Sequence, residues 1–240
     1  MFGAEASMPN VSIVTPHHTL NAYLSLPRGT ERQPGVVVIH DIFGMSADLR
    51  RNTDWLAASG YVAVAPDLFS WGGRIQCLRA TFRDISARRG RSIDDIDAVR
   101  SWLQRRDDCT GKVGIIGFCM GGAYALFMAP EHDFAVSSVN YGAVPKDAKT
   151  TLSGACPIVG SFGARDRTLR GAAALLEEAL TAQGIAHDIK EYPEAGHSFL
   201  NNHDGVLFKV VGAVLGAGYH APTEAHARAR ILTFFARYLR

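Results

Sequence analysis

A cysteine set between glycines is the first feature of this 240-residue sequence that could do chemistry. The stretch Gly117–Gly122 reads GFCMGG, a G-x-C-x-G pattern between a predicted β-strand and a predicted α-helix. Such a turn is tight and strained, so its neighbours must be small, and it lifts the nucleophile above the sheet. The following helix directs backbone N–H groups at an oxyanion, and its dipole favours a thiolate. The pattern predicts a nucleophile at Cys119; the alternative is a buried structural cysteine.

Two partners for this thiol occur later in the chain. Asp166 follows a predicted strand in the stretch GSFGARD, and His197 follows the last predicted strand in the stretch EAGHSF. A histidine can take up and return the thiol proton, and a carboxylate can fix the imidazole tautomer and stabilise the imidazolium. The order nucleophile, acid, histidine is that of the α/β-hydrolases. The sequence therefore predicts a catalytic triad of Cys119, Asp166 and His197.

The elements that must position these residues alternate between strand and helix. The predicted strands are Gly35–His40, Tyr61–Pro66, Lys112–Gly117, Phe134–Tyr141, Cys156–Gly163 and His187–Tyr192. The predicted helices are Ser46–Ser59, Ser92–Arg106, Cys119–Met128, Leu169–Gln183 and Thr223–Arg240. This alternation predicts an α/β fold, here the α/β-hydrolase fold, with a mostly parallel central sheet and helices on both faces. Val11–Val14 and Leu20–Leu26 are expected to form a β-hairpin at the sheet edge. The triad falls at carboxyl ends of strands, where such sheets carry their chemistry.

Composition narrows the class of protein. Residues 1–240 suit a single domain, and 47% hydrophobic residues, 20% charged residues and a net charge of +2 are ordinary for a globular protein. We expect no nucleic-acid partner and no membrane span, and Met1 to Asn10 lack the pattern of a secretory signal. The four cysteines form no C-x-x-C pair, which favours a reducing, cytoplasmic setting. The nine histidines show no metal-binding spacing, so no metal is expected.

Beyond the triad, the sequence resembles the dienelactone hydrolase (carboxymethylenebutenolidase) family. The resemblance runs from about residue 20 to the C-terminus, and its motifs are VVVIHDIFG at 36–44, SGYVAVAPDL at 59–68, GIIGFCMGG at 114–122, the Asp166 loop and GHSF at 196–199. It implies cofactor-free opening of lactones or cleavage of esters through a cysteine acyl-enzyme, by a monomer or weak homodimer. The family's oxyanion hole corresponds to the backbone N–H groups of Ile42 and Met120. The N–H of Met120 is also expected from the turn geometry alone.

Two positions depart from the family pattern. Asp41 stands where the family carries a glutamate that interacts with the resting thiol and helps to ionise it. We expect Asp41, one methylene shorter, to modulate Cys119; the alternative is a carboxylate held by loop N–H groups. Asn201 stands where authentic dienelactone hydrolases place an arginine, four residues after the catalytic histidine, that holds the substrate carboxylate. The carboxylate of dienelactone therefore loses one expected partner here.

A basic segment is predicted to form a small cap at about residues 70–92. Arg74–Arg91 contains six arginines and one acid, Asp84, a local net charge of +5. If the segment is helical, the i,i+4 spacing places Arg79 and Arg83 on one face, and Phe82 could add to an apolar wall. The alternative is a solvated basic helix face. The predicted substrate-binding residues are Arg79, Arg83, Phe43, Trp71 and Asn201.

These features favour a cysteine-dependent hydrolase of esters or lactones that forms a thioester intermediate. One alternative is a non-catalytic small-molecule-binding protein on the same scaffold, and an intact set of Cys119, Asp166 and His197 argues against it. A second alternative is a redox sensor at Cys119, for which no resolving cysteine is close in sequence.

Overall fold

A computed structural model describes residues 10–202 and 218–240 of the chain. Within those ranges, eight strands form one sheet in the order β1-β2-β4-β3-β5-β6-β7-β8. The strands are β1 (Asn10–Val14), β2 (Thr19–Ser25), β3 (Gln33–Ile39), β4 (Val62–Pro66), β5 (Cys109–Phe118), β6 (Val136–Asn140), β7 (Ile158–Gly163) and β8 (His187–Tyr192). The helices are α1 (Ala47–Ala58), α2 (Arg74–Ala87), α3 (Arg91–Gln104), α4 (Met120–Phe127), α5 (Ala148–Thr151), α6 (Ala172–Ala182) and α7 (Ala221–Leu239).

The sheet is mostly parallel, as the alternation of elements predicts. Strands β3 to β8 pair in parallel, whereas β2 runs antiparallel to both β1 and β4. The first two strands are thus the hairpin expected at the sheet edge. The predicted α/β class with a mostly parallel central sheet is thus confirmed.

Helices cover both faces of the sheet because its central strands are apolar on both sides. Along β3, Val37 and Ile39 belong to one core and Val36 and Val38 to the other. The first core takes its helical side chains from α3, α4, α5 and α6, and the second takes them from α1 and α7. Consecutive side chains of a strand point to opposite faces, which explains the alternation. Because strands β3 to β8 run in parallel, their carboxyl ends lie at one edge of the sheet, where the candidate site lies.

Residues 74–87 form helix α2, so Arg79 and Arg83, four residues apart, lie on the same face of that helix. Buried Asp84 fastens the end of α2 to the start of α3: its Oδ2 accepts hydrogen bonds from the Ser92 N–H at 3.1 Å and from Ser92 Oγ at 3.0 Å. The Tyr124 hydroxyl of α4 donates to the carbonyl of Thr81 at 3.0 Å. The basic segment is thus a helix packed on α3 and α4.

Candidate active site

The nucleophile candidate lies in a strained turn between β5 and α4. Cys119 has φ +55° and ψ −114°, a backbone conformation that residues with a side chain rarely adopt. Its N–H donates to the carbonyl of Asn140 at 3.0 Å, which ties the turn to the end of β6. The side chain is partly exposed. A strained, partly exposed thiol at the carboxyl end of a central strand is suited to nucleophilic attack.

Two glycines permit this turn. A Cβ on Gly117 would lie 1.8 Å from the carbonyl oxygen of Gly121, and a Cβ on Gly121 would lie 2.3 Å from the carbonyl oxygen of Ile39. No side chain fits at either distance. Helix α4 therefore begins against the carboxyl end of β3, and the chain continues from there into Asp41 and Ile42. This contact brings together the two segments that carry the predicted oxyanion-hole donors, Ile42 and Met120.

The acid and the histidine of the predicted triad are hydrogen-bonded. His197 Nδ1 lies 2.6 Å from Asp166 Oδ2, and the Asp166 side chain is fully buried. Asp166 Oδ1 accepts from the N–H of Thr168 at 2.8 Å and from its hydroxyl at 2.6 Å. A Cβ on Gly163 would lie 2.5 Å from the carbonyl oxygen of Gly196, so the end of β7 and the His197 loop are in contact.

Opposing effects set the charge of this pair. Burial raises the pKa of Asp166, but hydrogen bonds from His197 and Thr168 and the positive charge of His197 outweigh it and lower the pKa below its usual range. Burial likewise lowers the pKa of His197. Hydrogen bonds to Asp166 and Cys119, with the negative charges of both groups, outweigh burial and raise the pKa of His197 to about 10. The site thus favours an imidazolium at His197, hydrogen-bonded to Asp166 and Cys119.

The carboxylate of Asp41 is buried in the loop that follows β3. Its Oδ1 accepts a hydrogen bond from the N–H of Phe43 at 2.8 Å, which matches the alternative of a carboxylate held by loop N–H groups. The charges of Asp41 and Cys119 both act on the neighbouring Tyr141. Burial is the main cause that raises the pKa of Tyr141, and the charges of Asp48, Asp41 and Cys119 raise it further. Asp41 therefore has a structural contact within its own loop, and its charge acts on the same tyrosine as that of Cys119.

The side chain of Asn201 forms hydrogen bonds with two other side chains of the protein. Its Oδ1 accepts a hydrogen bond from the Tyr141 hydroxyl, and its Nδ2 donates to Asp48 Oδ2. Asp48 Oδ1 also accepts from the Asn202 N–H at 2.9 Å, so helix α1 holds the chain just after His197. The Tyr141 ring lies edge-on to His197, with centroids 5.2 Å apart. These hydrogen bonds form a buried network, Asp48–Asn201–Tyr141. The network favours a role for Asn201 in positioning Tyr141 and the loop of His197 over contact with substrate.

Sequence reasoning missed Tyr141 and Asp48. Their partner Asn201 lies 60 residues from Tyr141 and 153 residues from Asp48, so no local pattern links them. A single signal was present: Tyr141 is the last residue of the predicted strand Phe134–Tyr141, at the edge where the chemistry is expected.

The basic residues of α2 are placed differently from one another. Arg79 and Arg83 are exposed. Arg74 reaches the loop after β3, where its Nη2 donates to the carbonyl of Phe43 at 3.1 Å. Trp71 is stacked under the guanidinium of Arg91, 4.4 Å from the ring centroid. Of these residues, Arg74, which the sequence did not single out, has the direct contact with the candidate oxyanion loop.

In the two described ranges, no helix is long and apolar enough to cross a membrane. In the same ranges, no group of three or more His, Cys, Asp or Glu side chains is placed to hold a metal ion.

The raised pKa of His197 predicts a pH dependence of stability. A histidine that is protonated more readily when folded stabilises the protein fully below its unfolded pKa of about 6.5, and this contribution is lost as the pH rises towards about 10. We expect the free energy of unfolding of the wild type to fall relative to His197→Gln across that window, in urea titrations at several pH values. His132→Gln, outside the site, is the control. A wild-type advantage that stays constant over the window would contradict the ion pair.

Comparisons with known proteins identify the family of this chain. The model of the family described as "Dienelactone hydrolase family" matches residues 20–239. A carboxymethylenebutenolidase of Rhodococcus opacus is 30% identical over 233 residues, covering 90% of this chain and 86% of the relative. One of Pseudomonas putida is 28% identical over 231 residues, covering 91% of this chain and 92% of the relative.

Solved structures give the same result. A crystal structure of a candidate dienelactone hydrolase from Klebsiella pneumoniae has a TM-score of 0.76 and 26% identity, and covers 96% of this chain and 98% of that one. The dienelactone hydrolase of Anabaena variabilis shares the fold with a TM-score of 0.70 at 23% identity, covering 97% and 98% of the two chains. The matched family supports hydrolase activity of this chain on a small ester or lactone. On these matches, the chain belongs to the dienelactone hydrolase family.

Proposed function

We propose that this protein is a cysteine-dependent hydrolase of esters or lactones that acts through a thioester acyl-enzyme on Cys119. One observation carries the proposal: the strained Cys119 turn lies beside His197, which is bonded to buried Asp166 at 2.6 Å. Family membership supports the hydrolase class, and the geometry of these three residues supports the finer assignment. The chemistry requires a nucleophile, a proton carrier and a group that orients the carrier, and each is present.

Acylation begins with the thiolate of Cys119. Its sulfur attacks the carbonyl carbon, a C–S bond forms, and the π electron pair moves to oxygen as an oxyanion. In this proposal, the N–H groups of Ile42 and Met120 stabilise that charge. When the carbonyl re-forms, the C–O bond to the alcohol breaks, and the imidazolium of His197 gives its Nε2 proton to the leaving oxygen. In a lactone the leaving oxygen stays attached to the acyl group.

Deacylation reverses these roles with water. Neutral His197 takes a proton from the water, whose oxygen forms a bond to the thioester carbon. The second tetrahedral intermediate expels the thiolate and releases the acid. The imidazolium is then paired again with the thiolate, and Asp166 has held its Nδ1 throughout. The balance is ester and water in, acid and alcohol out.

The nucleophile limits the substrate class. A thiolate is expelled from a tetrahedral intermediate more readily than an amine, so amides are poor substrates. Activated esters, enol lactones and thioesters have leaving groups that compete with the thiolate. With Asn201 engaged by Tyr141 and Asp48, the carboxylate of dienelactone itself lacks one expected partner.

The wider setting is part of the same proposal. Residues 1–240 act as one α/β-hydrolase domain, with α2 and its flanks as a small cap, and the protein works as a monomer or weak homodimer. All four cysteines are free thiols, which suits a reducing, cytoplasmic compartment. A binding protein and a redox sensor are the alternative functions, and an acyl-enzyme burst with a small aryl ester would exclude both.

Removal of the nucleophile or the base should abolish turnover. Cys119→Ala and His197→Ala should each lose about 10³-fold or more in kcat/KM for an aryl ester, because triad members act as a unit. Cys119→Ser should be a much weaker esterase, since the site is tuned to a thiol. Cys156→Ala, at another partly exposed cysteine, is the control and should keep its activity. Turnover of Cys119→Ala at the wild-type rate would refute the mechanism.

Asp41 is expected to restrain the resting thiol. A carboxylate near the thiol disfavours the thiolate, so Asp41→Asn should speed alkylation of Cys119 in the substrate-free enzyme between about pH 6 and pH 9. Asparagine keeps an acceptor for the Phe43 N–H. Asp67→Asn is the matched control, because Asp67 accepts from the Phe69 N–H at 3.1 Å in an equivalent turn after β4. Equal alkylation rates in Asp41→Asn and wild type would show that Asp41 has a purely structural role.

The exposed arginines of α2 predict a modest preference for anionic acyl groups. Exposed charges are screened over about 8–10 Å, so the preference should be at most about tenfold, reside in KM and weaken with salt. Matched neutral and carboxylate-bearing esters would be compared at low and high salt in wild type and Arg79→Gln/Arg83→Gln. Arg28→Gln/Arg237→Gln removes the same charge from exposed positions elsewhere. A ratio of kcat/KM values that ignores both salt and the α2 substitutions would mark α2 as a solvated surface.

A further inference from the structure

We infer that His40 is the positioning residue of the oxyanion hole. Its side chain fixes the peptide plane between Asp41 and Ile42, and hence the direction of the Ile42 N–H. The inference rests on the proposed function, because that N–H matters only if an oxyanion forms. His40 takes no other part in the chemistry proposed above.

The tautomer of His40 follows from its two hydrogen bonds. The side chain is fully buried, with Nδ1 2.6 Å from the carbonyl oxygen of Asp41 and Nε2 3.2 Å from the backbone nitrogen of Leu68. A backbone N–H can only donate, so Nε2 must accept. The ring proton is therefore on Nδ1, which donates to the Asp41 carbonyl. Burial lowers the pKa of His40 and keeps the ring neutral.

The same bond sets the direction of a donor. The described chain contains no cis peptide bond, and in a trans peptide the C=O and the next N–H point in opposite directions. Anchoring the Asp41 carbonyl thus orients the Ile42 N–H on the other side of the plane. The neighbouring N–H groups are used within the loop: Phe43 donates to Asp41 Oδ1 at 2.8 Å, and Gly44 donates to the Asp41 carbonyl at 3.2 Å.

His40 also contacts the helix that carries the second donor. A Cβ on Gly121 would lie 2.7 Å from the His40 carbonyl oxygen, so the main chain of His40 packs on the first turn of α4. The Phe69 ring lies edge-on to the imidazole at 4.6 Å. The charged groups that act on the ring are Asp67, Asp41 and Arg74. One buried residue therefore contacts both segments from which Ile42 and Met120 donate.

Two variants separate positioning from structural support. In His40→Asn the amide nitrogen overlays Nδ1, so the donor to the Asp41 carbonyl is kept and the acceptor for Leu68 is lost. In His40→Gln the amide reaches the Nε2 position, so an acceptor for Leu68 is kept and the donor at Nδ1 is lost. We expect His40→Gln to acylate about 10- to 100-fold more slowly than wild type, and His40→Asn to acylate at least about tenfold faster than His40→Gln.

Two rates are measured for each variant. The burst with an aryl ester reports acylation, which develops an oxyanion. Alkylation of Cys119 by iodoacetamide forms a C–S bond with loss of iodide and develops no oxyanion, so it should be unchanged in both variants. A structural role predicts instead that both rates fall together. Equal acylation by the two variants, or losses matched by alkylation, would overturn the inference.

A further test uses the wild-type protein and needs no variant. Nitrogen-15 NMR of the His40 ring should show a proton on Nδ1 and none on Nε2 from about pH 6 to about pH 9. A proton on Nε2 would overturn the inference, and this result decides the question if either variant fails to fold. Absence of a burst in the wild type would refute the proposed function itself, before any His40 variant is compared.

Discussion

The close approach of helix α4 to the ends of the neighbouring strands is the constraint on which the site depends. A Cβ on Gly121 would collide with the carbonyl of Ile39 at the end of β3, and one on Gly122 would lie 2.7 Å from the carbonyl of Asn140 at the end of β6. Only bare backbone allows three strands and one helix to meet so tightly. This junction forces Cys119 into its unusual backbone conformation, which costs about 1–3 kcal/mol and persists because the surrounding packing determines it.

The same junction also determines which charged groups lie next to one another in the site. The turn brings the thiol beside an imidazole whose other nitrogen is hydrogen-bonded to the buried carboxylate of Asp166. The raised pKa of His197 favours an imidazolium at this place. Movement of its proton to the leaving group is the event that the proposed acylation requires.

Much of this arrangement could be predicted from the sequence because its signals are local. The glycines around Cys119, the histidine after β8 and the β-branched run of β3 each report their own environment within a few residues. The Asp48–Asn201–Tyr141 network and the contact of Arg74 with Phe43 join residues distant in sequence, and no short pattern records them. The boundaries also shift where packing overrides local preference: β5 begins at Cys109, three residues before the predicted Lys112.

The buried network has a consequence for how this scaffold could change its specificity. Because Asn201 sits between Tyr141 and Asp48, an arginine introduced there would enter a space already filled by two hydrogen-bonding partners. Its guanidinium would pair with the buried Asp48 carboxylate before it could reach a ligand. An evolutionary path from this chain to an enzyme with an arginine at that position must therefore remodel helix α1 together with the histidine loop. Hydrogen bonds join the two segments, so substitutions in one are expected to be non-additive with substitutions in the other.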